Sequence, residues 1–229
     1  MTLAALTLDL DDTLWPVWPA IQRAETRLLD WLRERAPAAV AAHDTKSMRA
    51  LRDAVLADHP AWAHDLSAIR IESIRRTLRA SGDDPALAEP AFEQFFAERH
   101  RVELFADVLP ALERLAARWP IIALSNGNAD VNRVPGLGRY FRGSLSAREF
   151  GVGKPAPEIF ARACALAGCA PAAVLHIGDD GRLDVDGALA AGLRAAWVRR
   201  PDLPPPAAPT RLPHHTVADL LALADDLGV

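Results

Sequence analysis

The stretch LAALTLDLDDTLW at residues 3–15 decides the fold, because its apolar run leads directly into three carboxylates. A short apolar run without polar alternation is typical of a strand buried on both faces, as in a parallel sheet. Asp9 and Asp11 fall where this strand ends, and their spacing of two residues directs both side chains to the same side. Ligands of open α/β sheets bind beyond the carboxyl ends of the strands, so this stretch marks a candidate site.

The acidic end of this stretch has two interpretations. Two carboxylates held close together repel each other unless a cation or a shared proton intervenes. Oxygen ligands suit Mg²⁺, so a metal at Asp9 and Asp11 is one interpretation. The other is an acidic turn in which Asp12 caps the following helix. This motif by itself leaves both open.

Composition and charge exclude several classes of protein. The 229 residues carry a net charge of −4, with 50% hydrophobic and 24% charged residues, as in an ordinary globular protein. This balance argues against nucleic acid or an anionic membrane as partners. No apolar run reaches the roughly 20 residues that span a bilayer. Cys164 and Cys169 match no metal or redox spacing, and the N-terminus shows no secretion signal, so a cytoplasmic location is expected.

The rest of the chain divides by its hydrophobic period. From about residue 20 to 100, four apolar stripes at helical spacing are separated by Pro and Gly breaks and predict four short helices. After about residue 102, predicted strands alternate with predicted helices, which indicates a parallel sheet. We therefore predict an α/β protein: a Rossmann-like core flanked by helices, residues 1–15 and 102–229, with an inserted helical bundle at 16–101.

Polar residues collect where three predicted strands end. They are Asp9 and Asp11 on the first strand, Ser125 and Asn126 on a middle strand, and Asp179, Asp180 and Asp184 on a late strand. Lys154, one of only two lysines among 26 basic residues, begins a helix between the last two. Arginine otherwise prevails, so a lysine here indicates a need for a compact charge, as in a crowded phosphate site.

This set suits a phosphate monoester dianion that meets an anionic nucleophile. A metal and Lys154 would offset the charge, while Ser125 and backbone amides would donate hydrogen bonds. An aspartate can form an acyl phosphate, and a second carboxylate can protonate the leaving alcohol and then activate water. The residues therefore predict an enzyme with a small phosphorylated substrate and Mg²⁺.

Four stretches, in this order, resemble the four motifs of the haloacid dehalogenase-like (HAD) hydrolase superfamily, most closely its phosphatases. They are Asp9-Leu-Asp11-Asp-Thr13, Ser125-Asn-Gly, Lys154-Pro-Ala-Pro, and Gly178-Asp179-Asp180 with Asp184. The resemblance covers essentially the whole core and implies that Asp9 is the nucleophile and Asp11 the general acid and base. Asp9, the backbone carbonyl of Asp11 and Asp179 would hold Mg²⁺.

The resemblance also implies how the phosphoryl group is held. Ser125, Asn126 and Lys154 would bind it. Asp180 and Asp184 would lie behind these residues and hold them in position. Asp184 would orient Lys154 or a metal-bound water. Leu183 stands where many members place a polar residue, a departure that bears on the role of Asp184.

The insertion resembles the small helical cap of one HAD subgroup, which closes over the site and contacts the leaving group. His64 and Arg70 are its candidate substrate-binding residues. The alternative is that Asp65 caps a helix while His64 and Arg70 are solvated.

A narrower resemblance, to the HAD phosphatases of riboflavin and FMN biosynthesis, rests on SNGNA at 125–129, GLGRYF at 136–141 and LHIGDD at 175–180. It implies a ribitylamino-pyrimidine phosphate or FMN as substrate.

Other functions are compatible with parts of the pattern. A phosphomutase or phosphotransferase keeps all four motifs. A dehalogenase on this fold lacks the second aspartate, so Asp11 argues against it. A receiver-type signalling module would lack the helical insertion, and a silent binding protein would require a misassembled site.

We expect a monomer or weak dimer.

Overall fold

The computed structural model describes residues 2–42, 45–204 and 207–229. Its chain divides into two compact units, Met1–Val17 with Val102–Val229, and Trp18–Arg101. In the described ranges, the strands lie in the first unit and the second is helical. No helix in those ranges combines the length and the apolar character that crossing a bilayer requires.

The first unit is built on one parallel sheet. Its strands are β1 Ala5–Leu8, β2 Ile121–Ser125, β3 Gly143–Ser146, β4 Val174–Gly178, β5 Arg194–Val198 and β6 His215–Val217. Their order is β3-β2-β1-β4-β5-β6, with every neighbouring pair parallel. This is the order of doubly wound α/β folds, so the predicted fold class is confirmed.

Helices of the first unit flank this sheet, and the helices of the second unit pack around a core of their own. The α-helices of the described chain are α1 Val17–Arg35, α2 Pro37–Ala42, α3 Thr45–Asp58, α4 Leu66–Ser81, α5 Ala88–Arg99, α6 Val108–Arg118, α7 Ala147–Phe150, α8 Pro157–Ala167, α9 Gly187–Ala190 and α10 Leu220–Asp226. One apolar cluster joins α6 and α10 to one face of the sheet, and a second joins α8 to the other face. The central strands are therefore buried on both faces, as their unbroken apolar runs predict.

The second unit has its own core, formed by apolar residues of α1, α2, α3, α4 and α5. Asp65 is the N-cap of α4, and its side chain accepts from the Ala68 N–H. Gly82, with φ of 77°, is the C-cap of the same helix. The prediction that Asp65 caps a helix is therefore confirmed. The prediction of four short helices is wrong in number, because the short helix α2 separates α1 from α3.

Two further elements differ from the sequence prediction. The edge strand β6 has only three residues, two of them not buried, so it lacks the apolar run by which the other strands are found. A π-helix at Gly181–Asp186 precedes α9, whereas the sequence pattern predicts helical structure only over residues 186–191. This π-helix follows β4 directly and shapes the candidate site.

Candidate active site

Three neighbouring strands carry the site. Because β2, β1 and β4 are adjacent and parallel, their carboxyl ends bring Ser125, Asp9 and Asp179 to one edge of the sheet. The Asp9 N–H donates to the carbonyl of Ile177 at 2.9 Å, so the backbone ladder fixes this residue. The predicted convergence of the strand ends is what the topology produces.

A compact cluster of charges lies at this edge. Asp9, Asp179 and Asp184 each offer a carboxylate oxygen, and these oxygens lie within 4.8 Å of one another. Lys154 Nζ donates to Oδ1 of Asp9 at 2.5 Å and to Oδ1 of Asp184 at 2.6 Å. With all three carboxylates ionised, the single ammonium would leave two negative charges uncompensated.

Burial and mutual repulsion raise the pKa values of two of the carboxylates, and contacts with Lys154 and His176 lower that of the third. Burial, with the charge of Asp184 and against that of Lys154, raises the pKa of Asp9. Burial and the charges of Asp9 and Asp184 raise the pKa of Asp179. Burial would also raise the pKa of Asp184, but the Lys154 ammonium and a hydrogen bond from His176 hold it well below its usual range. Asp184 is therefore ionised, while Asp9 and Asp179 lack sufficient positive charge nearby.

The donor set fits a divalent cation. Carboxylate oxygens are the ligands that Mg²⁺ prefers, and a charge of two matches the deficit of the cluster. The Thr13 hydroxyl donates to Asp179 Oδ1 at 2.9 Å and to Asp9 Oδ2 at 3.3 Å, which holds these two carboxylates in place. Asp184, predicted only to support the site, joins the carboxylates that could hold a metal.

The turn after β1 holds the other two acidic residues. The Trp15 indole Nε1 donates to Oδ1 of Asp11 at 2.9 Å. Asp12 has φ of 58°, and its Oδ1 accepts from the Val17 N–H at the start of α1 at 2.8 Å. The interpretation of Asp12 as a helix cap is therefore confirmed, and it is compatible with a metal at the neighbouring aspartates.

Lys154 is fixed through its backbone by Asn126. The Asn126 Oδ1 accepts from the Lys154 N–H at 2.7 Å, and its Nδ2 donates to the Lys154 carbonyl at 2.8 Å. Both ends of the Asn126 side-chain amide are thus engaged by Lys154, and phosphate binding by Asn126 stays a prediction. The structure makes Asn126 a positioning residue for the lysine.

Ser125 is placed to donate a hydrogen bond. It is buried at the end of β2, and its Oγ accepts from the Gly127 N–H at 3.0 Å. Because a hydroxyl has one donor and two acceptor sites, this contact leaves its hydrogen for a ligand oxygen.

The π-helix positions Asp184. Asp180 Oδ1 accepts from the N–H groups of Arg182 and Leu183, each at 2.8 Å, and the Asp180 N–H donates to Asp184 Oδ2 at 3.0 Å. A Cβ at Gly178 would lie 2.3 Å from the Asp184 Cγ, so this close approach requires glycine. Leu183 takes part through its backbone, and Asp184 reaches Lys154 despite the departure from the family pattern.

The sequence prediction omits several contacts of the site. His176, within β4, reaches Asp184 Oδ1 with Nε2 at 3.0 Å, and a polar residue in an apolar strand is a signal that could have identified it. The Trp197 Nε1 donates to the Asp179 carbonyl at 2.7 Å. The buried Arg200 donates to the Thr13 carbonyl from Nε at 3.1 Å and from Nη2 at 2.6 Å. Nothing in the sequence around these last two residues indicates such contacts.

The two candidate residues of the helical unit have different surroundings. Arg70 lies 3.6 Å from Glu25 Oε1, and its guanidinium stacks over the Phe95 ring at 3.7 Å. Burial and the charge of Arg52, against that of Glu25, lower the pKa of Arg70 to about 9. The alternative of a solvated Arg70 is therefore wrong, because the arginine is part of the core of its own unit. His64 is half-buried.

Fold, motifs and comparison with known proteins agree on one family. Residues 3–192 match the family of haloacid dehalogenase-like hydrolases. The chain belongs to this family and is an enzyme of the hydrolase class.

The individual relatives are of two kinds, phosphatases and a dehalogenase. The chain is 33% identical over 201 residues to the 5-amino-6-(5-phospho-D-ribitylamino)uracil phosphatase YigB of Escherichia coli, covering 86% of this chain and 84% of that protein. It is 36% identical over 145 residues to the phosphoserine phosphatase of Thermus thermophilus, covering 61% of this chain and 57% of that protein. A crystal structure of a 2-haloacid dehalogenase from Pseudomonas syringae superposes with a TM-score of 0.91 at 36% identity, covering 99% of both chains.

Proposed function

We propose that this enzyme is a Mg²⁺-dependent phosphatase that hydrolyses a small phosphate monoester through an aspartyl-phosphate intermediate on Asp9. The observation that carries the proposal is the Asp9–Lys154 pair, 2.5 Å apart, within a cluster of three carboxylates. A phosphate dianion approaches an anionic nucleophile only where cations offset both charges. Lys154 supplies one positive charge, and Mg²⁺ held by Asp9, Asp179 and the Asp11 carbonyl would neutralise the remainder and polarise the phosphoryl group.

The first half of the reaction uses four side chains. Lys154 and the Ser125 hydroxyl hold two phosphoryl oxygens, and an Asp9 oxygen attacks phosphorus in line with the leaving oxygen. Asp11 acts as the general acid and donates a proton to the alcohol oxygen as the bond from phosphorus to that oxygen breaks. The alcohol leaves, and phosphate remains on Asp9 as a mixed anhydride.

The second half reverses the proton transfer. Asp11, now a carboxylate, takes a proton from a water that attacks phosphorus. The bond between phosphorus and the Asp9 oxygen breaks, and inorganic phosphate leaves. Each residue returns to its starting state, with one water consumed for each ester bond cleaved.

The substrate we propose is a phosphorylated ribityl compound. Similarity to the relative named for 5-amino-6-(5-phospho-D-ribitylamino)uracil, over most of both chains, supports this compound as the leading candidate, with FMN as the second. We also propose that residues 16–101 act as a cap domain that gates turnover. Within it, half-buried His64 remains a candidate to contact the leaving group, whereas Arg70 is engaged by Glu25.

Dehalogenation is the second candidate function, favoured by the 2-haloacid dehalogenase structure at 36% identity. Halide leaves carbon without needing a proton, so a dehalogenase has no use for a general acid beside its nucleophile. Asp11, held by Trp15, and the negative charge of the three carboxylates instead support transfer of a phosphoryl group. Phosphoryl transfer to a second alcohol uses the same residues and differs only in the acceptor.

One experiment separates these functions. Wild type, Asp9→Asn and Asp11→Asn are assayed with and without Mg²⁺ for phosphate release from the ribitylamino-uracil phosphate, FMN, sugar phosphates and p-nitrophenyl phosphate. Chloride release from 2-chloropropionate is measured alongside, and transfer to added glycerol is followed by mass spectrometry. The proposal expects Mg²⁺-dependent phosphate release that Asp9→Asn abolishes. Metal-independent chloride release without phosphate release would favour the dehalogenase.

A further inference from the structure

Two polar side chains lie inside the strands β1 and β4, whose other residues are apolar or glycine. Thr7 on β1 and His176 on β4 are partners in the strand register, and they are 0% and 1% exposed. Burying a hydroxyl and an imidazole in such a place is costly unless both form hydrogen bonds. Neither residue belongs to the proposed nucleophile, acid, metal or phosphate set, so their burial requires another explanation.

A continuous chain of hydrogen bonds runs from these two residues to the nucleophile. Thr7 Oγ1 lies 2.8 Å from Nδ1 of His176, and Nε2 of His176 lies 3.0 Å from Oδ1 of Asp184. The same Asp184 oxygen accepts from Lys154 Nζ at 2.6 Å, and Lys154 also donates to Asp9 at 2.5 Å. The other Asp184 oxygen accepts from the Asp180 N–H, so both oxygens of this carboxylate are fixed.

The chemistry of these groups determines where the hydrogens lie. An ionised carboxylate only accepts, so Nε2 of His176 must carry a hydrogen to bond Asp184. In a neutral ring with its hydrogen on Nε2, Nδ1 has a free lone pair. That lone pair accepts from the Thr7 hydroxyl, so both nitrogens of the ring are engaged and its orientation is fixed.

We propose that Thr7 and His176 are positioning residues that hold Asp184, and through it the Lys154 ammonium, in the geometry for reaction. His176 prevents the carboxylate of Asp184 from turning away from Lys154. Without that anchor, Lys154 would no longer be shared between Asp184 and Asp9 and would be left paired with the nucleophile alone. The effect on catalysis rests on the proposed function, whereas the hydrogen-bond chain does not.

The chain of hydrogen bonds is tested first, by an experiment that needs no assay of activity. Long-range ¹H–¹⁵N spectra of uniformly labelled wild-type protein report which ring nitrogen of His176 carries the hydrogen. We expect the Nε2–H tautomer in wild type and in Thr7→Ser, which keeps the hydroxyl. In Thr7→Val the ¹⁵N resonance of Nδ1 should shift, because its lone pair loses the hydrogen bond from Thr7. An Nδ1–H tautomer in wild type, or an unchanged spectrum in Thr7→Val, would overturn the proposal.

The catalytic consequence is tested with three variants. His176→Leu should lower kcat by about 10- to 100-fold, the usual cost of losing a group that orients a site residue. His176→Gln, whose amide can still donate to Asp184, should recover most of this loss. Phe160 packs edge-on against the His176 ring at a centroid distance of 5.1 Å, so Phe160→Leu is the control for packing and should keep kcat within about twofold.

The outcomes distinguish this inference from the proposed function. If wild type releases no phosphate from any substrate, the proposed function fails. The tautomer result still shows whether the hydrogen bonds from Thr7 through His176 to Asp184 exist. If wild type is active and His176→Leu keeps its kcat, the positioning role is wrong. An equal loss in His176→Leu and Phe160→Leu would also contradict it, because the ring would then act through packing.

Discussion

The indole Nε1 of Trp15 donates a hydrogen bond to Oδ1 of Asp11 at 2.9 Å, and so ties the proposed acid of the reaction to a fully buried side chain. Trp15 belongs to the apolar core on one face of the sheet. The orientation of Asp11 is therefore set by core packing. A substitution at Trp15 should lower the rate of proton transfer from Asp11.

We expect Trp15→Phe to lower kcat for alkyl phosphates by about 5- to 10-fold, because a hydrogen bond worth about 1 kcal/mol no longer orients Asp11. The rate for p-nitrophenyl phosphate should fall less, since p-nitrophenolate leaves readily without a proton. Steady-state rates on both substrates check this. An equal loss on both would mean that the substitution disturbs the site in general.

Asn126→Ala should lower kcat and raise KM together, because Lys154 loses both backbone contacts that hold it. The unfolding free energy should also fall, by about 1–3 kcal/mol, since buried backbone groups of Lys154 are left without partners. Steady-state kinetics and urea unfolding measure these quantities. Normal kinetics in a destabilised Asn126→Ala protein would show that Asn126 serves only the fold.

Gly178→Ala should abolish activity, because the added Cβ would lie 2.3 Å from the Cγ of Asp184. Overpacking of this kind costs typically about 1–3 kcal/mol, so the variant should also unfold at lower urea concentration. The matched control is Gly143→Ala, also on a strand of the sheet, whose Cβ would lie 3.6 Å from the Ile122 Cδ1, an ordinary contact. Normal activity in Gly178→Ala would mean that Asp184 can move without consequence.

Removing Mg²⁺ should destabilise the wild type more than it destabilises Asp179→Asn. With its carboxylates ionised, the metal-free wild type would have two uncompensated negative charges in the cluster, whereas the variant would have one. At a Mg²⁺ concentration about 100 times Kd, we expect a gain of about 2.7 kcal/mol for the wild type. Thermal unfolding with EDTA and with Mg²⁺ measures this gain, which should be much smaller in Asp179→Asn. Equal gains in both proteins would place the metal elsewhere.

The sequence was sufficient to predict the strand ends but not the contacts between them. Apolar runs that end in polar residues predict Asp9, Ser125 and Asp179 at one edge, because a parallel sheet aligns its carboxyl ends. The engagement of Asn126 by Lys154 depends on a loop 28 residues away, and no local pattern reports it.

Short or irregular elements also escaped prediction. The three-residue strand β6 shows too little periodicity to be recognised, and its pairing with β5 stabilises it. The contact between His176 and Asp184 requires the π-helix that follows β4, and this helix type has no sequence signature at this site. His176 was visible as a polar residue in an apolar strand, but its partner was not.

The most direct test of the central claim is chemical trapping at Asp9. Wild type turning over its best phosphate ester with Mg²⁺ is quenched in acid and reduced with borohydride, which converts an aspartyl phosphate to homoserine. Peptide mass spectrometry should then find homoserine at position 9 in wild type, and none in Asp9→Asn or in wild type without substrate. Continued phosphate release with unmodified Asp9, or homoserine formed at another aspartate, would contradict the account.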